Sequence, residues 1–179
     1  MTTETVVVAV TAADGERAGS VADAAVTVAA DPNATVEVVT VFDVEAYQNR
    51  CELLGCHADR RLGPDEVAAR VTAVRAVVDE LERAATDHHL DVEVRGLLGT
   101  DRESAVTALV EDVGADHLVA VERRRCRDRR RWWSRTRPQF GAVECPVTFV
   151  GKGGDSTTGA SSRTHATERT PLLWTVRGG

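Results

Sequence analysis

The amino-acid sequence predicts an α/β fold: one domain with a five-stranded, mostly parallel sheet flanked by helices. Three observations predict it. Apolar residues make up 42% of the 179-residue chain and are mostly Val, which favours strands, and Ala, which favours helices. Short β-branched runs recur along residues 1–150, as in strands buried on both faces. Between them lie helical stretches of about 10 to 20 residues, enough for the crossovers that parallel strands need.

The elements follow in order. "TVVVAV" (residues 5–10) is the first strand. After "ADG" (13–15), "AGSVADAAVTVAA" places Val21, Ala22, Ala25, Val28 and Ala29 on one helical face. "DPNA" (31–34) ends that helix, and "TVEVVTVFD" (35–43) is the second strand. Residues 44–64 read as irregular and polar. From Pro64 one long helix is expected, because Val67, Val71, Val74, Val78, Leu81 and Ala85 recur at spacings of three and four, up to "DHH" (87–89). "DVEVRGLL" (91–98) is the third strand. "GTDRESAVTALVEDVG" (99–114) is a helix with capping-box spacing at Thr100 and Glu103, stopped by Gly114. "HLVAV" (117–121) and "PVTFV" (146–150) are the fourth and fifth strands. Past residue 150 the chain is Gly, Ser and Thr with little to bury, so 151–179 is expected to be a disordered tail. The apolar "PLLWTV" (171–176) near its end reads as a frayed terminus.

Parallel sheets bind ligands at the C-terminal ends of their strands, near the switch in strand order. Here that directs attention to the loops after Val10, Val41, Leu98 and Val121.

Charge is unevenly spread. The whole chain carries −6, residues 121–137 carry nine Arg against two acids, or +7, and the rest therefore carries −13. One lysine, Lys152, occurs in the sequence. An acidic, Lys-poor composition suits a high-salt cytosol or a GC-rich genome. It disfavours general binding to nucleic acid or anionic membranes. The opening "MTTETVVVAV" lacks a basic n-region, and no apolar run reaches the length of a membrane span, so a cytoplasmic protein is expected.

The element order, together with "VVVAV", "VEVVTVFD", "GADHLVAV" and "ECPVTFV", resembles the universal stress protein (UspA) family over residues 4–150. The resemblance implies a Rossmann-like sandwich of the adenine-nucleotide alpha hydrolase-like type. It also implies a stress-associated protein and a homodimer through the fifth strand, with Val147, Phe149 and Val150 at the interface. ATP-binding members of that family carry a G-x-x-G-x9-G-[S/T] loop after strand four, whose glycines let backbone amides approach the phosphates. Counted back from "CPV", those positions hold Ala120, Arg123, Trp133 and Ser134; shifted by one, Val121, Arg124 and Ser134. Either way every glycine is lost. The Asp that such members place directly after strand one is Thr11 here, and Asp14 comes three residues later. Pro138 falls where the family's last helix runs, so that helix is expected to be short. The resemblance therefore implies a non-catalytic regulatory protein that has lost ATP binding, with no cofactor. Were a nucleotide held, Thr11, Asp14, Val41 and Gly99 would line its site.

In "RRRCRDRRRWW", Arg123, Arg124, Arg125, Arg129, Arg130 and Arg131 with Trp132 and Trp133 read first as a solvated loop paired with the acidic body. Alternatively they form a clamp for an anion or nucleic acid, since Arg binds phosphate bidentately and Trp stacks on bases, or a protein-partner surface. Cys126 among the arginines is the best candidate for a reactive thiol. Cys51, Cys56 and His57 have a zinc composition but poor spacing, and His88 or His89 would have to complete the set, so ordinary thiols are expected. Gly99, Thr100 and Asp101 open a helix that could attract an anion; capping by Thr100 is the simpler account. No nucleophile–base motif stands out.

Overall fold

The fold is taken from a computed structural model that describes residues 4–55, 62–85, 89–122, 140–151 and 156–159. The strands are β1 (Thr5–Ala9), β2 (Thr35–Phe42), β3 (Asp91–Leu98), β4 (His117–Val121), β5 (Val147–Val150) and β6 (Ser156–Gly159). The helices are α1 (Ala18–Val28), α2 (Val44–Leu53), α3 (Pro64–Ala68), α4 (Thr72–Ala84) and α5 (Arg102–Val113), with a short 3-10 turn at Gly15–Arg17.

The sheet order is β3-β2-β1-β4-β5-β6. Strands β1 to β5 are parallel, as the sequence predicts, and β6 is antiparallel to β5. The most apolar strand is central for a physical reason. Val6, Val7 and Val8 are all fully buried, so β1 needs cover on both faces. Alternation along the strands divides the core in two. Val6, Val8, Val36, Val38, Val119 and Val121 pack with the buried residues of α1 and α4, including Val21, Ala25, Val74 and Leu81. Val7, Ala9, Val39, Leu118 and Ala120 pack with Val106, Leu109 and Val110 of α5 and with Phe140 and Val143.

The structure corrects several expectations. Residues 44–64 are not all irregular. Asp43 accepts a hydrogen bond from Ala46 N–H at 2.7 Å and starts α2, a helix with no fully buried residue, in which Tyr47 and Cys51 pack partly on the core and give too short a periodic signal to read. The long helix from Pro64 is two helices. At Val71 the backbone is extended, with φ −72° and ψ 123°. α3 packs on β3 while α4 packs on α1. One apolar periodicity persists because Val67, Val71 and Val74 enter the same core. The helix after β3 is capped by Asp101 rather than Thr100: the Asp101 carboxylate accepts from Glu103 N–H at 3.3 Å and Ser104 N–H at 3.1 Å. Gly114 ends that helix in the left-handed region, φ 62°, as expected. The short helix expected from Pro138 is not found in residues 140–146, which are turns or irregular backbone; Phe140 itself has φ 59°.

Residues 156–159, expected to lie in a disordered tail, form β6 and pair with β5 from Val147↔Gly159 to Val150↔Ser156. The strand carries no apolar side chain, so no hydrophobic pattern signals it. The fifth strand is consequently flanked on both sides. Val147 and Val150 are buried and Phe149 is half-buried within that pairing, rather than lying on an open edge.

Candidate functional site

The order of the sheet puts the switch between β1 and β4, where successive connections run to opposite sides. The chain at this point is built from the end of β1, the first turn of α5 and the turn at 140–142.

The loop after β1 folds back on itself. Thr11 donates its N–H to Asp14 Oδ2 at 2.8 Å and its hydroxyl to the same oxygen at 2.6 Å. Asp14 N–H returns to the Thr11 carbonyl at 3.0 Å, and Asp14 is only 3% exposed. Thr11 and Asp14 are therefore brought together as expected for one site, but as partners of each other. A short polar side chain caps its own turn here.

Gly99 and Val41 also meet. A Cβ on Gly99 would lie 3.7 Å from Val41 Cγ1 and 3.3 Å from Ala105 Cβ, so the turn from β3 into α5 has little spare room. Gly99 N–H donates to the Phe42 carbonyl at 2.9 Å, which continues the sheet by one bond.

Arg102 joins the two halves, and sequence reasoning missed it. It stands three residues after Gly99, and its Nη2 donates to the Ala9 carbonyl at 3.0 Å. Val10 N–H bonds to Val39 on β2, so by strand alternation the Ala9 carbonyl faces β4 and the switch. The Arg102 guanidinium lies 5.7 Å from the centre of the Phe140 ring, a cation–π distance. Phe140 is buried at 2% exposure. An isolated Arg at a helix start carries no sequence signal; the contact joins positions 93 residues apart.

On the outer face of α5 lies a cleft of about 600 Å3, lined by Asp101, Glu103, Ser104 and Glu111 and closed by Phe140 and Gly141. Three of those side chains are carboxylates. The Asp101 carboxyl is held below the usual range by hydrogen bonds from Ser104 side chain and backbone. This lining attracts cations and repels phosphate. Neither Thr11 nor Val41 lines the cleft.

Elsewhere, Glu37 is buried on β2 beside Arg95 of β3, with Arg95 Nε 3.3 Å from Oε2. Burial pushes its carboxyl up, and Arg95 opposes that only in part. Cys51 lies on α2 against the core, and Cys145 is buried, which pushes its thiol up. No group of three or more metal-ligating side chains occurs among the described residues. No helix among them is long and apolar enough to cross a membrane. Arg123, Arg124, Arg125, Cys126, Arg129, Arg130, Arg131, Trp132, Trp133 and Pro138 lie outside the described residues, as do Cys56, His57 and His88.

These features define a Rossmann-like α/β sandwich in which the loops after β1 and β3 hold hydrogen bonds from the chain's own carboxylates. No family model matches the chain, and neither does any curated protein. Among solved structures it is similar to a universal stress protein in complex with cAMP, at 20% sequence identity and a TM-score of 0.50. The likeness covers 84% of this chain and 98% of that one, and it establishes the fold.

Proposed function

We propose that the chain is a universal-stress-protein-like regulatory protein that works by binding rather than catalysis, resides in the cytoplasm and has lost ATP binding. One observation carries the reading. In the described loops after β1 and β3, the chain's own carboxylates hold backbone donors that a phosphate could use. Asp14 holds Thr11 N–H, and Asp101 holds those of Glu103 and Ser104. An incoming phosphate meets negative charge where it needs amides. The sequence agrees, since no glycine occurs between Gly114 and Gly141, the interval that follows β4.

The test is titration calorimetry of the purified chain with ATP and Mg2+, and with cAMP because the similar structure holds it. No binding heat and no ATP turnover are expected. Micromolar binding of either nucleotide, or steady phosphate release, would overturn the reading. The regulatory part predicts that abundance of the protein responds to starvation or oxidant exposure; a flat level across both would count against it.

A further inference from the structure

We propose that β6 is a built-in cap on β5, standing where the β5 strand of a second copy would otherwise dock. Alternation along β5 sets which of its backbone groups face outward. The carbonyls of Pro146 and Val150 accept from Leu118 and Glu122 N–H at 3.0 Å each, so the backbone groups of residues 146, 148 and 150 face β4. Those of Val147 and Phe149 face the other way, toward β6. The pairs Val147↔Gly159 and Phe149↔Thr157 are therefore the hydrogen-bonded rungs of the β5–β6 ladder.

β6 is polar, four residues long, and reads Ser-Thr-Thr-Gly. Thr158 Oγ1 lies 2.9 Å from Thr148 Oγ1, which in turn lies 2.8 Å from His117 Nε2. The strand it covers, Val-Thr-Phe-Val, is the opposite in character: β-branched and apolar, the kind of edge that recruits another strand.

A second copy fits that edge by symmetry. A twofold axis beside Thr148 sets Val147 opposite the mate's Phe149 and Phe149 opposite the mate's Val147. Both are residues whose backbone groups face outward, so both rungs form. Thr148 then meets its own counterpart, as it meets Thr158 now. The edge is self-complementary in the antiparallel sense, which a closed dimer requires. β6 presents the same pattern, a threonine between two rung positions, from within one chain.

The full chain, with β6 in place, is expected to sediment as a monomer over a wide concentration range. Thr157→Pro deletes the N–H that serves Phe149, and Gly159→Pro deletes the one that serves Val147. Either variant is expected to show concentration-dependent dimerisation at concentrations where the parent is monomeric. Thr157→Ala, which keeps the N–H, should stay monomeric. Far-ultraviolet circular dichroism identifies any variant that has failed to fold, and the other proline variant then decides. Folded proline variants that remain monomeric would overturn the proposal. So would a dimeric parent whose Thr157 amide stays protected from hydrogen exchange.

Discussion

Gly96 and Pro64 are in backbone contact: a Cβ on Gly96 would sit 2.0 Å from the Pro64 carbonyl oxygen and 2.3 Å from its carbon. This approach seats α3 directly on β3. Gly96 N–H also donates to Asp65 Oδ1 at 2.7 Å, so the helix start is both packed and bonded to the strand.

Gly96→Ala is therefore expected to destabilise the fold by about 3 kcal/mol, the upper end for overpacking, because backbone atoms cannot rotate aside. Glycine is needed here for space. Denaturant midpoints of parent and variant measure the effect, and an unchanged midpoint would show that α3 is not seated as described.

The start of α5 distinguishes two capping residues. Asp101→Ala removes the acceptor for Glu103 and Ser104 N–H and should lower the melting temperature. Thr100→Ala should leave it nearly unchanged. The Asp101 carboxyl is held below its ordinary 3.8, so its contribution is present above that value and is lost as pH falls through the lowered one. The reverse ranking of the two variants would return the cap to Thr100.

His117 gives the fold a pH dependence of known sign. Burial lowers its pKa from the ordinary 6.5, while Glu4 pulls weakly the other way. The folded state thus binds fewer protons than the unfolded state just below pH 6.5. Stability is complete above that pH and declines as pH falls through 6.5 toward the lowered value. Glu37 has the opposite slope. Its carboxyl is raised above 4.5, so its burial costs stability progressively as pH climbs through 4.5. Comparing parent with His117→Gln at pH 7.5 and pH 5.5 isolates the histidine. The parent should lose more stability over that interval than the variant; equal losses would remove His117 from the account.

Much of the fold was legible in the residues. β1 is readable because three consecutive valines tolerate only a strand covered on both faces, and Gly114 because a left-handed stop favours glycine. The misread elements share a cause. α2 buries nothing fully, so its periodic signal is too short to read, and Asp43 at its start was the signal available. The break at Val71 is hidden because residues on both sides of it point into one core.

The candidate site was legible in its position and not in its contacts. Thr11, Asp14, Val41 and Gly99 lie at or beside the C-terminal ends of β1, β2 and β3. Whether Asp14 faces outward to a ligand or inward to Thr11 depends on a three-residue turn that strand periodicity does not reach.

By itself the sequence determined the α/β class, the order of the five parallel strands along the chain and the absence of glycines between Gly114 and Gly141. Periodicity and composition act over a few residues, and these are properties of a few residues. Tertiary structure alone decided that Arg102 reaches Ala9 and that a polar four-residue strand lies against β5. Each joins groups through backbone carbonyls or amides, which every residue type carries and which no local pattern marks.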